Sequence, residues 1–249
     1  MPTAKVKITF ILTFFACPVI AQLPLQIGNT DILDPGDSEI IVAYIDDDRQ
    51  SNDSYILPYA EISYGLTNNT QTTLSLSRAG NKPFKSKHKS DFGPINVEYL
   101  YRFFDNEQIS IATGPNYSFP LNKSSQRRAI TSPTRLLNIP LVATYSSEQG
   151  WYITGEASYT FTSSSSNALG YALASGYQFS NALTLLAEIN GSQSIDSYNE
   201  DREINWRFGG IYEVSNDYSL LFGIGGNLES ELIDVDQLHR EIFLGIQFN

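Results

Sequence analysis

From residue 39 onward the chain falls into twelve segments of about ten residues, and the breaks between them alternate strictly between short and long. The segments are 39–45, 54–64, 70–79, 94–103, 108–119, 135–146, 151–161, 168–179, 183–192, 203–213, 218–227 and 239–248. Tight breaks lie at 66–69, 104–107, 147–150, 180–182 and 214–217. Longer, more polar ones lie at 46–53, 80–93, 120–134, 162–167, 193–202 and 228–238. An antiparallel meander with all its short turns at one end, an even strand number and both termini at that same end has the connectivity of an outer-membrane barrel. The predicted fold is therefore all-β, a transmembrane antiparallel up-and-down β-barrel of about 12 strands over residues 39–249.

Side-chain alternation agrees with this. In 151–161, Trp151, Ile153, Gly155, Ala157, Tyr159 and Phe161 share one face, and Tyr152, Thr154, Glu156, Ser158 and Thr160 the other. In the last segment Ile242, Leu244, Ile246 and Phe248 oppose Glu241, Phe243, Gly245 and Gln247. A soluble β-sandwich shows the same period, so the position of the rings decides. Tyr64, Phe103, Tyr145, Trp151, Phe179, Tyr212, Tyr218 and Phe248 all sit beside a short turn or the C-terminus on the outward phase. Tyr55, Phe119, Phe161, Tyr171 and Trp206 lie near the long breaks. Two aromatic girdles on the lipid face are expected of a barrel, the short-turn one periplasmic.

The chain opens with Lys5 and Lys7 ahead of an apolar run over 8–20, with Val19 and Ala21 spaced as a signal-peptidase site. Residues 1–21 are expected to be a cleaved secretory signal, since the run is too short to span a bilayer as a helix and contains Pro18. Cys17, the sole cysteine, would leave with it, so neither a disulfide framework nor a thiolate metal site is expected. Residues 22–38 precede the first strand as a leader or a short plug. No later segment reaches the ~18 apolar residues of a membrane helix. The net charge of −11 argues against nucleic acid as a partner.

The segments ILPYAEISYGLTNNTQTTLSL, GPINVEYLYRFFD, NIPLVATYSSEQGWYITGEASYTF and GYALASGYQFSNALTLLAEI resemble, in that order, outer-membrane proteins of the putative MetA-pathway of phenol degradation family. The resemblance runs from about Pro35 to Phe248 and implies a barrel acting as a transporter or channel, with no catalytic motif to carry over.

Inward-phase charges are the candidate functional residues: Glu61, Glu98, Arg102, Glu156, Glu188, Arg207 and Glu241. Glu98, Glu156, Glu188 and Arg207 fall at a common height and are expected to form a belt. Glu188 and Arg207 should be close enough to interact. Such a belt either lines a cation-preferring path or locks a closed lumen through carboxylate–guanidinium pairs. Lys82, Lys85, Lys87 and Lys89 in one long break, and Lys123, Arg127 and Arg128 in the next, make a basic extracellular surface suited to lipopolysaccharide phosphates or to charge balance with acidic loops. His88, Ser90 and Asn96 superficially echo the Ser, His and Asn set of a lipid hydrolase, but His88 lies in a Lys-rich stretch, and no enzyme, metal or cofactor is predicted.

The expected function is a monomeric channel for a small solute, a hydrophobic or aromatic one if the family's description is followed. A non-conducting structural or surface-interaction barrel is the alternative. The expected location is the outer membrane of a Gram-negative bacterium, with its lipids and lipopolysaccharide as surroundings.

Overall fold

A computed structural model describes residues 25–28, 30–49, 52–83, 89–128, 130–163, 166–195, 202–230 and 239–249. Its elements in chain order are β1 (Ser38–Arg49), β2 (Asn52–Thr67), β3 (Thr70–Pro83), β4 (Lys89–Phe92), β5 (Pro94–Asp105), β6 (Ile109–Thr113), β7 (Asn116–Pro120), α1 (Lys123–Arg127), β8 (Leu136–Ser146), β9 (Trp151–Thr162), β10 (Ala168–Ser180), β11 (Leu183–Ser194), β12 (Arg202–Ser215), β13 (Tyr218–Ser230) and β14 (His239–Phe248). Every strand pairs antiparallel with its neighbours, and β1 pairs with β14, which closes the ring.

The fourteen segments make a twelve-stranded wall. β4 and β5 form one wall strand with a bulge at Gly93, whose N–H donates to the Ser77 carbonyl at 2.8 Å. β6 and β7 form another, where the sequence pattern predicts one unbroken strand over 108–119. Pro115 has no N–H to give the ladder, and Gly114 is pressed against the Tyr99 carbonyl. The break is local, because the pairing with β5 and β8 keeps one register across it.

The long breaks at 46–53 and 80–93 are shorter than expected. β1 and β2 continue pairing from Asp46↔Tyr55 to Arg49↔Asn52, and β3 continues to Pro83. Hairpin pairing satisfies the backbone whatever the side chains are, so the polar composition of Asp46, Asp47 and Asp48 did not end the strand. The 120–134 break holds α1, a single turn of helix capped by Asn122, whose side chain accepts from the Ser125 N–H at 2.7 Å.

The outer surface is apolar along the strands. All eight rings of the short-turn girdle are exposed, as are Ile153, Leu173, Ile189, Ile224 and Leu244. A surface of this composition is unstable in water and matches acyl chains. Of the opposite girdle, Phe161 and Tyr171 are exposed, and Tyr55, Phe119 and Trp206 are half-buried. No helix among the described residues is long and apolar enough to cross a membrane; the crossing is made by strands.

Candidate functional site

Residues 25–28 and 30–37 lie inside the ring. The entry is a turn at the short-turn mouth, where Gly36 adopts φ +95°, open to glycine at no steric cost. Its N–H donates to the Gly65 carbonyl at 2.9 Å, and the Gly65 N–H to the Asp37 carbonyl at 3.0 Å. The Leu33 N–H then donates to Gln71 Oε1 at 2.9 Å, and the Thr30 and Ser110 hydroxyls share a bond of 2.6 Å. Farther in, the Gly28 N–H donates to Glu156 Oε2 at 2.8 Å. The Gln26 and Ile27 N–H groups converge on Glu188 Oε2 at 2.9 and 3.1 Å.

Apolar contact completes the seat. Leu25 (2% exposed) and Ile27 (3%) form one cluster with inward side chains of seven strands, among them Ile41, Tyr152, Leu186, Leu221 and Phe243. Burying two such side chains stabilises the seat by about 1.5–3 kcal/mol each. A segment without strand partners must find acceptors for its N–H groups elsewhere; here lumenal carboxylates and one amide supply them.

The charged residues expected as a belt separate into three groups. Glu188, Arg207 and Glu241 form one network. Glu188 and Arg207 are opposite in the β11–β12 register, with Nη1 3.6 Å from Glu188 Oε1. The stronger partner is Glu241, which takes Nε and Nη2 at 2.8 and 2.9 Å as a fork. Glu188 Oε1 also accepts from Asn190 Nδ2, and Asn205 Nδ2 donates to Asn190 Oδ1 at 3.5 Å. Glu61, Glu98 and Glu156 form a second group held by neutral donors: the Tyr59 hydroxyl at 2.5 Å, Asn116 Nδ2 at 3.0 Å and the Gly28 N–H respectively. Arg102 joins neither. The strand bulges between Arg102 and Phe104, and the guanidinium reaches the Asn68 carbonyl and the Asp105 carboxylate, both at 3.1 Å, at the short-turn mouth. The interior thus holds one arginine rather than two among its described charges.

Arg207 reaches Glu241 by crossing β13 over Gly225, which faces both residues in the register. A Cβ on Gly225 would lie 2.9 Å from Arg207 Cγ and 2.9 Å from the Trp206 carbonyl oxygen. Replacing a strand glycine by alanine ordinarily stabilises. Gly225→Ala is expected to do the reverse, lowering unfolding stability by about 1–3 kcal/mol through overpacking and displacement of the guanidinium. Denaturant midpoints in detergent check the sign.

Of the basic surface, Lys89, Lys123, Arg127 and Arg128 fall on β4 and α1 or directly after them. The Lys82 side chain, Lys85 and Lys87 lie outside the described residues, as does His88. Arg128 donates to the Ser90 carbonyl at 2.9 Å and stands 3.7 Å from Asp91. The Ser124 hydroxyl, the Phe92 N–H and Arg128 hold the Asp91 carboxyl below the usual carboxylate range. Asn96 Nδ2 donates to Ser75 Oγ at 2.9 Å, which commits it to the barrel wall rather than to a set with Ser90.

The inserted segment separates two cavities. One, of about 620 Å³, opens at the short-turn mouth and is lined by Leu33, Asp37, Glu39, Glu213 and Gln247, among others. The other, of about 230 Å³, lies on the long-loop side, bounded by Gln26, Ile27, Glu156, Asn190, Glu203 and Asn205.

Known proteins share this architecture. The outer membrane channel of the COG4313 group from Pseudomonas putida F1 superposes with a TM-score of 0.67 at 16% identity, over 90% of this chain and 99% of that one. The NanC porin gives a TM-score of 0.62 at 11% identity, over 84% and 99% of the two chains. The KdgM porin gives 0.55 at 12%, over 84% and 98%. At these identities the likeness is one of fold. No curated protein matches the sequence. Residues 42–231, most of the barrel wall, match the family described as the putative MetA-pathway of phenol degradation, and the chain belongs to that family.

Proposed function

We propose that the chain works as a monomeric outer-membrane channel for small polar solutes, with residues 25–28 and 30–34 as a lumenal restriction that limits what passes. The observation that carries this is the seating of residues 25–28 and 30–34 on lumenal side chains, with one cavity bordering the segment on the short-turn side and another on the long-loop side. Among the described residues the lining carboxylates outnumber the one lumenal arginine, so cations are preferred over anions. A phenol, as the family's description suggests, meets the same acceptors through its hydroxyl. The likeness to an outer membrane channel and to porins supports passage over a purely structural role.

In the expected setting the short-turn end faces the periplasm, and the cationic ledge formed by Lys89, Lys123, Arg127 and Arg128 lies at the level of lipopolysaccharide phosphates. Signal removal at Ala21 is part of the same proposal: it leaves only residues 22–24 ahead of the seated segment.

Purified protein in a planar lipid bilayer tests the reading. Discrete, low-conductance, cation-selective openings are expected, together with heat-modifiable migration on gels. A heat-modifiable barrel that gives no openings and no liposome swelling would put the structural role ahead.

A further inference from the structure

The cavity on the long-loop side has a chemistry of its own. Its described lining carries two carboxylates (Glu156, Glu203), three amides (Gln26, Asn190, Asn205) and the hydroxyls of Ser158, Tyr171 and Ser192, and no basic side chain. Hydrogen-bond directions within it are fixed from below. Arg207 and the backbone of Gln26 and Ile27 occupy Glu188, Asn190 donates to Glu188, and Asn205 spends its Nδ2 on Asn190. That chain of donors leaves Asn205 Oδ1 buried and without a partner. The carboxylate of Glu203, half-buried and opposite Ser192 in the register, has no hydrogen bond or ion pair among the described residues. Glu156 points one oxygen at the Gly28 N–H. The cavity therefore presents an excess of acceptors and negative charge and asks for donors.

We propose that this cavity is a binding subsite for a small organic ammonium, such as a primary amine, reached from the long-loop side. An ammonium supplies three donors and no acceptor, which matches Glu156, Glu203 and Asn205 Oδ1. A neutral polyol would satisfy the amide but leave two carboxylates uncompensated in a confined space. At about 230 Å³ the space is below the ~300 Å³ at which drug-sized sites begin, which restricts the ligand to a few heavy atoms. Ile27 and the segment behind it form its floor, so the amine binds above the restriction. The inference rests on the channel reading for its access route but not for its chemistry.

Calorimetry on the full chain in neutral detergent, with 1,4-diaminobutane as the probe and 1,4-butanediol as the uncharged control, tests it. Saturable one-to-one binding of the diamine and none of the diol is expected. Glu203→Gln should weaken the diamine at least ten-fold and Asn205→Leu several-fold, while Asp217→Asn, at a short turn on the other end, should leave it unchanged. Heats that do not saturate, or that fall equally with Asp217→Asn, would mean nonspecific pairing with surface carboxylates and overturn the proposal. Bilayer recordings on the same preparations keep the two readings apart. Binding without openings sinks the channel and keeps the subsite; openings without saturable binding do the opposite.

Discussion

Removal of residues 25–34 is expected to raise single-channel conductance several-fold while leaving the barrel folded. The segment fills a lumen whose wall is closed without it, since β1 meets β14 and β2 from Ser38 onward. An extended chain with its side chains is about 10 Å across, a large share of the interior of a small barrel. The anchors lost include the Gln26, Ile27 and Gly28 N–H groups on Glu188 and Glu156, the Leu33 N–H on Gln71, the Thr30–Ser110 bond and the apolar contacts of Leu25 and Ile27. Each orphaned carboxylate is then open to water, which replaces a backbone donor at little cost. Bilayer recordings of the truncated and full-length proteins, with gel migration as the folding control, make the comparison. Equal conductance would show that the segment does not restrict the path.

Arg207→Ala is expected to be the most damaging single change in the wall, at about 3–5 kcal/mol. Both of its carboxylate partners lose their only cation among the described residues, Glu241 losing a two-point fork and Glu188 the charge 3.6 Å away. The Arg207 and Glu188 side chains are almost fully inaccessible, so water cannot readily take the arginine's place. The cost comes from stranding charge rather than from losing attraction. The triple change Arg207→Met, Glu188→Gln, Glu241→Gln should therefore recover most of it. Glutamine at 188 keeps an oxygen for the Gln26 and Ile27 N–H groups, so the restriction stays in place. Chemical unfolding of the single and triple variants measures both. Additive losses with no recovery would mean the network is not coupled.

The barrel was legible because its signals are local and repeated. Short turns after every second strand, period-two alternation in β9 and β14, and rings such as Trp151 and Phe179 at a common height are all written in consecutive residues. Interruptions were less legible, for physical reasons that particular residues show. Asp46, Asp47 and Asp48 look like a loop, yet paired backbone carries them as strand; Pro115 breaks the ladder without breaking the register.

The lumen was legible residue by residue but not as an arrangement. Glu188 and Arg207 could be placed opposite each other by counting from the turns. That Glu241 holds the guanidinium more closely depends on Gly225 leaving β13 bare, a relation across three strands. Arg102 shares the inward phase of the other charges but is turned to the mouth by a bulge. Least legible was the role of Glu156 and Glu188 as acceptors for a segment more than a hundred residues away in sequence. The one sequence trace of that role was the apolar pair Leu25 and Ile27 in a stretch with no strand to join.

The insertion of the N-terminal segment is the claim on which the account turns, and a disulfide tests it most directly. A Cβ on Gly28 would lie 3.0 Å from Val142 Cγ2, about the separation that a disulfide sets between one Cβ and the far sulfur. In a Cys17→Ser background the protein has no other cysteine, so thiol titration of denatured Gly28→Cys/Val142→Cys protein after mild oxidation of the folded barrel gives an unambiguous count. The account predicts that both thiols disappear in the folded protein and return on reduction. Two thiols persisting through oxidation would place the segment elsewhere and contradict it.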